Sequence, residues 1–82
     1  MEKERIALLG IIVKETSSVE IVNHLLHEYQ DCVIGRMGLP YRKRELNIIS
    51  IALDGSQDKI SALSGKLGAV PGISAKVIYA QE

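Results

Sequence analysis

The sequence has no phenylalanine and no tryptophan, and its aromatic residues are three tyrosines. Aliphatic side chains must therefore fill the core. Because β-branched valine and isoleucine fit a pleated sheet, this composition favours strands. The one cysteine, Cys32, has no partner in the chain for a disulfide, which is typical of a protein from a reducing cytosol.

Neither sign of charge is in excess, since ten basic residues are balanced by ten acidic ones. A domain that binds duplex DNA usually carries a basic excess, so we expect no direct contact with nucleic acid. The longest apolar run, residues 6–13, is much shorter than the ~20 residues that span a bilayer. The charged start at residues 1–5 does not resemble a signal peptide. We therefore expect a cytoplasmic protein without a membrane partner.

The first half of the chain predicts a strand, a helix and a second strand. Residues 5–14 predict a strand that is apolar on both faces. Apolar residues at helical spacing predict a helix from about 18 to 30. Ser17 and Glu20 are spaced as a capping box at its start. A shorter strand is predicted over residues 32–37.

The second half repeats this order. Residues 38–41 combine glycine and proline as turns do, and residues 42–45 form a polar connector. Alternation of apolar and other residues predicts a third strand over 46–53, which residues 54–55 end.

A second helix and a last strand follow. Ser56 is the predicted N-cap of the helix. Gly68 is predicted to end it as a left-handed residue. A turn at residues 71–72 then leads to a strand over 73–80.

The order βαββαβ predicts an α+β, ferredoxin-like sandwich, in which a four-stranded antiparallel sheet carries both helices on one face. Eighty-two residues suffice for one such domain, which we assign to residues 1–82. The small size leaves a thin core.

The first predicted strand gives a reason to expect self-association. A sheet face that meets water normally alternates with polar residues, but this strand is apolar on both sides. One face of it holds Ile6, Leu8 and Ile12, and the other holds Ala7, Leu9, Ile11 and Val13. Since the helices cover one face, we predict a homo-oligomer, a dimer or a tetramer, built on the other. The alternative is a monomer whose flanking strands supply polar cover through Asn47 and Ser50.

Several functions found on this topology require residues that this sequence does not have. The two central strands carry none of the aromatic residues on which RNA-recognition domains stack bases. A soft-metal chaperone needs two cysteines. Gly65 and Lys66 form only a fragment of a phosphate loop. No nucleophile lies beside a candidate base in the sequence, so we predict no catalytic residues, no cofactor and no enzyme.

Two histidines and the cysteine are the candidate metal ligands. His24 and His27 are three residues apart and can share a helix face. Structural sites usually use four ligands, so we assign no metal site. A site that His24, His27 and Cys32 complete across an oligomer interface stays open as an alternative.

The densest positive cluster predicts an anion site. Arg36 precedes the basic residues of the connector at 42–45, and a guanidinium offers a planar fork of donors to an anion. We predict a ligand site in which Arg36 holds the anionic group, Tyr41 lines the turn and His27 supplies a titratable contact. The alternative is a solvated hairpin.

Four segments of the sequence, at 25–27, 35–41, 60–68 and 71–73, resemble a family of small ACT-like proteins with a proposed role as regulators of the iron-only hydrogenase system. The resemblance covers nearly the whole chain. It implies a ferredoxin-like fold, oligomers and a link to the maturation or control of iron-only hydrogenase. The fold is also similar to the C-terminal sensing domain of nickel-responsive regulators.

The chain departs from these relatives at functional positions. His24, His27 and Cys32 do not match the nickel site of those regulators, and the 82 residues leave no room for their DNA-binding segment. The loop at residues 14–18 lacks the glycine with which ACT domains often hold amino acids. We therefore expect a regulatory domain that senses a small anionic ligand or contacts a protein partner. The alternatives are an assembly subunit without a ligand, and a metal-responsive or DNA-linked transcriptional regulator.

Overall fold

A computed structural model describes residues 4–81, which form four strands and two α-helices. In chain order they are β1 (Glu4–Val13), α1 (Val19–Glu28), β2 (Val33–Tyr41), β3 (Leu46–Ser56), α2 (Gln57–Gly68) and β4 (Ile73–Tyr79). Short 3-10 turns lie at Thr16–Ser18, Gln30–Cys32 and Arg42–Arg44. Residues 1–3, part of the charged start that argued against a signal peptide, lie outside the described residues.

The sheet has the strand order β2-β3-β1-β4, and every neighbouring pair is antiparallel. Both helices pack on one face of it, so the predicted ferredoxin-like α+β fold is confirmed. β1 occupies a central position between β3 and β4. The helices cover one apolar face of β1, and the side chains of its other face, such as Leu8, stay exposed.

The core lies between the helices and one face of the sheet. β1 contributes Ala7, Leu9, Ile11 and Val13, the four residues that the sequence placed on one side of that strand. The other main contributors are Ile49, Ile51 and Leu53 from β3, Val22 and Leu26 from α1, and Ile60, Leu63 and Leu67 from α2. Each of these residues is at most 5% exposed.

The turn predicted at residues 38–41 is wrong, because β2 continues as a strand to Tyr41. β2 lies at the edge of the sheet, where some backbone N–H groups have no strand to bond, and an edge strand tolerates proline for this reason. Pro40 accordingly pairs with Asn47 of β3. The chain reverses in the connector instead, where Glu45 adopts the left-handed conformation with φ 54°.

The start of α1 also differs from its prediction. Ser17 lies inside the 3-10 turn Thr16–Ser18, and the N-cap is Ser18, whose side chain makes no capping hydrogen bond. The predicted capping box is therefore wrong. Ser18 Oγ instead donates a hydrogen bond to the carbonyl oxygen of Pro71, at 3.0 Å. A tertiary contact has taken the hydroxyl that local capping would use.

The two ends of α2 gave opposite outcomes. Ser56 is confirmed as the N-cap, since its Oγ accepts a hydrogen bond from the backbone N–H of Lys59, at 3.2 Å. The left-handed termination at Gly68 is wrong, because the C-cap Ala69 is right-handed and the bond from Val70 N–H to Leu67 O extends the turn. The reversal comes later, at Gly72, with φ 78°.

Candidate functional site

The face of the sheet opposite the helices is apolar and exposed, and we call it the open face. Cross-strand pairing places Leu39 beside Ile48, and Ile48 beside Ile12, so one apolar row crosses three strands. The large apolar side chains of the open face are Ile6, Leu8, Ile12, Met37, Leu39, Tyr41, Ile48 and Ile78, which are 38–68% exposed. β1 therefore buries one of its apolar faces and presents the other to the surroundings.

A hollow lies near the middle of the open face. Gly10 supplies no side chain there, and a Cβ at this position would meet no described atom within 4 Å. The resulting concavity of about 320 Å³ lies beside Ile12 and Ile48, with Ser50 and Lys76 at its margin. The open face thus combines projecting aliphatic side chains with a recess.

The structure brings Arg36 and His27 together in a groove between α1 and β2, which we call the α1–β2 groove. Its volume is about 270 Å³, and Asn23 and Gln30 also line it. Arg36 Nη2 donates a hydrogen bond to Asn23 Oδ1, at 2.5 Å. Part of the Arg36 donor fork is therefore already engaged within the protein.

Tyr41 lies elsewhere, in a cleft at the end of the β2–β3 hairpin. This hairpin cleft has a volume of about 550 Å³. Its lining residues are Lys14, Thr16, Pro40, Tyr41, Arg42, Glu45, Leu46 and Asn47. Tyr41 is five positions after Arg36 along the extended strand β2, a span of roughly 17 Å. The odd separation also places the two side chains on opposite faces of the sheet.

Tyr41 is the one cleft residue that the sequence prediction assigned to the ligand site, and Lys14 and Thr16 are the missed residues most distant from it in the sequence. They lie more than twenty positions before Tyr41 and share no motif with it. The pairing of β1 with β3 could have revealed these two residues. It sets Val13 opposite Asn47 and so brings the chain after β1 close to the hairpin. That pairing could be inferred from the fold, but its register could not.

The three candidate metal ligands do not converge. His24 Nε2 lies 3.3 Å from Glu28 Oε1 on the surface of α1. Cys32 is 5% exposed, and a Cβ at Gly55 would lie 2.7 Å from its Sγ. Among residues 4–81, no three His, Cys, Asp or Glu side chains are grouped so that they could hold a metal ion. The thiol faces the core rather than a surface where a second chain could reach it.

A polar contact joins the two helices away from these clefts. Lys66 Nζ lies 3.7 Å from Glu28 Oε2 and 5.1 Å from the centre of the Tyr29 ring. The Tyr29 side chain is the main cause that raises the pKa of Lys66, and Glu28 adds to it. The contact joins exposed side chains and lies outside both clefts.

These features define a small α+β domain of the ferredoxin-like class, with helices on one side of its sheet, an apolar open face on the other, and polar clefts at its margins. The chain belongs to the TM1266-like family, whose proposed role is that of an iron-only hydrogenase system regulator, and the family match covers residues 5–77. The resemblance found in the sequence is thereby confirmed.

Solved structures agree with this assignment. Protein TM1266 from Thermotoga maritima is 34% identical, with a TM-score of 0.92, over 96% of this chain and 100% of that chain. A formyltetrahydrofolate deformylase from Pseudomonas putida KT2440 is 16% identical, with a TM-score of 0.63, over 88% of this chain and 28% of that one. The designed protein Foldit4 is 11% identical, with a TM-score of 0.62, over 98% and 99%. The last two share the fold alone.

No curated protein matches this sequence. Within residues 4–81, neither helix has the length and hydrophobicity needed to cross a membrane.

Proposed function

We propose that this chain is a cytoplasmic regulatory subunit of an iron-only hydrogenase system, which assembles with copies of itself and binds a small anionic ligand or a protein partner rather than catalysing a reaction. Family membership supports the regulatory role.

The open face is the single observation that carries the assembly proposal. Four strands of 7–11 residues, spaced ~4.8 Å apart, give this face a footprint on the order of 600 Å². The largest apolar patch on a typical monomer measures about 300–600 Å². A stable interface buries about 800 Å² per partner, which a corrugated face of this footprint can supply. A second copy of the chain therefore fits the open face in both size and chemistry.

Replacing Leu8 with lysine is expected to dissociate the assembly. Leu8 is 47% exposed at the centre of the open face, and a face-to-face contact would bury the new ammonium group without a partner. Such burial costs several kcal/mol, so the dissociation constant should rise roughly 100-fold or more. Sedimentation velocity at micromolar concentration measures this change.

Ile21→Lys is the matched control, because Ile21 is also 47% exposed but lies on α1. It should leave the sedimentation coefficient unchanged. A wild-type chain that sediments as a 9.0 kDa monomer, or an assembly that Ile21→Lys disrupts and Leu8→Lys does not, would reject assembly through the open face.

Filling the hollow tests whether the contact depends on shape. Gly10→Leu adds apolar surface to the open face, yet we expect it to weaken self-association roughly tenfold, because overpacking costs about 1–3 kcal/mol. The fold should tolerate the change, since a Cβ at Gly10 meets no described atom within 4 Å. Gly38→Leu on β2, with the same open surroundings, is the control. If Gly10→Leu associates more strongly than the wild type, the contact depends on apolar area alone and not on the shape of the hollow.

A further inference from the structure

We propose that the hairpin cleft binds a small organic anion, whose carboxylate or phosphate group is held between Lys14 and Arg42. This inference deepens the regulatory function proposed above, and rests on it, by naming the site and the chemical class of the ligand. It also separates Tyr41 from the other two residues of the sequence-based site, Arg36 and His27.

Two segments meet at the cleft, the chain after β1 and the β2–β3 hairpin, and a backbone hydrogen bond holds each of them. The N–H of Lys14 donates to the carbonyl oxygen of Gly72, at 2.8 Å, which fixes the chain after β1. The N–H of Glu45 donates to the carbonyl oxygen of Arg42, at 3.1 Å, which closes the hairpin turn. Asn47 of the hairpin pairs with Val13 in the sheet, which sets the two segments side by side. The cleft is therefore bounded by positioned backbone.

The charges of the cleft favour an anion. Lys14 and Arg42 face it with one carboxylate, that of Glu45, so the lining carries a net positive charge. Within residues 4–81, neither cation forms an ion pair. A guanidinium can grip a carboxylate or a phosphate with two parallel hydrogen bonds, and an ammonium adds a point charge beside it.

The size of the two clefts decides between them. Sites for small molecules usually measure about 300–1,000 Å³. The hairpin cleft, at about 550 Å³, lies within this range, whereas the α1–β2 groove, at about 270 Å³, lies below it. The groove also offers a single arginine, and Asn23 already accepts from its guanidinium.

Glu45 reverses the chain at the end of the hairpin, where its φ is 54°. The same residue places a carboxylate in the lining of the cleft. The Glu45 carboxylate can accept a hydrogen bond from an ammonium or hydroxyl group of the ligand. Pro40 and Leu46 supply apolar wall. The fitting ligand is thus a small molecule with one anionic end, one donor group and a short aliphatic body.

Tyr41 connects this site to the open face, since it lines the cleft and also belongs to the apolar surface where a second copy would pack. An occupied cleft would restrict the Tyr41 ring at the margin of that contact. We therefore expect anion binding to change the self-association constant as well as the stability.

The test uses inorganic phosphate and 3-hydroxybutyrate as probes, with sodium chloride at the same ionic strength as the reference. The dissociation constant of each probe is measured by calorimetry and by the shift in melting temperature. At least one probe should bind the wild-type chain. The probe with the lower dissociation constant shows whether the site prefers a phosphate group or a carboxylate group. Arg42→Gln should weaken that binding roughly tenfold or more, since a hydrogen bond to a charged group is lost.

Arg36→Gln is the matched control and should change the dissociation constant by less than about twofold. Absence of binding by both probes beyond the chloride reference would overturn the proposal, as would a loss of binding in Arg36→Gln with retention in Arg42→Gln. Either result leaves the assembly proposal untouched if Leu8→Lys still dissociates the oligomer. Such a chain would be an assembly subunit without an anionic ligand.

Discussion

Replacing Leu9 with alanine is expected to lower the free energy of unfolding by about 2–5 kcal/mol, because a buried leucine loses both its transfer free energy and the packing around it. Leu9 is 0% exposed and lies among the core residues of β1 and the helices. A domain of this size has a total stability of only about 4–12 kcal/mol. Leu9→Ala should therefore bring the chain close to unfolding, as urea denaturation will measure.

Leu8→Ala is the matched control, since the same substitution is made one residue away on the opposite face of β1. Its effect should decrease as the protein is diluted, because Leu8 contributes mainly through the contact with a second copy. The effect of Leu9→Ala should be the same at every protein concentration. Equal and concentration-independent losses for both variants would contradict the assignment of the two faces.

Gly55→Ala should destabilise the protein by about 1–3 kcal/mol, as overpacking of a filled core does. A Cβ at Gly55 would lie 2.7 Å from Cys32 Sγ and 3.3 Å from Cys32 Cβ. Cys32 is 5% exposed, so its side chain has little room to move away. The measurement is the urea midpoint, with Gly35→Ala as the control, since the nearest atom there is Ala52 Cβ at 3.9 Å.

A double-mutant cycle isolates the cause. Cys32→Ala removes the sulfur atom, so Gly55→Ala should cost less in this background than in the wild type, and the coupling should fall within the range of about 0.5–3 kcal/mol found for contacting residues. An unchanged cost would show that the glycine is required for its backbone and not for the space beside Cys32.

The predicted ligand site is divided in the structure, with Tyr41 apart from Arg36 and His27, because one prediction of secondary structure was wrong. Had residues 38–41 formed a turn, the chain would reverse there and Tyr41 would fold back towards Arg36. The edge position of β2 instead tolerates Pro40 in a strand, which carries Tyr41 to the other end of the hairpin. His27 and Arg36 stayed together because only a short 3-10 turn separates their elements.

Local pattern was sufficient for the parts of this protein that depend on neighbouring residues. Three features were legible from the sequence: the division of β1 into two apolar faces, the helical spacing around Val22 and Leu26, and the Ser56 cap. The first two follow because side-chain direction repeats every two or 3.6 residues. The same two-residue repeat places the buried apolar residues of β1 on one side of the strand and the exposed apolar residues on the other. The family motifs are likewise local segments of the chain.

Only the folded chain could decide which distant residues meet. Lys14 lines the same cleft as Arg42 because β1 pairs with β3 in one register, and a shift of one residue would turn every side chain of the strand to the other face. Cys32 is buried because Gly55 leaves space beside it. Which distant residues become neighbours depends on how whole strands and helices pack together. The types of the residues that meet carry little information about that packing.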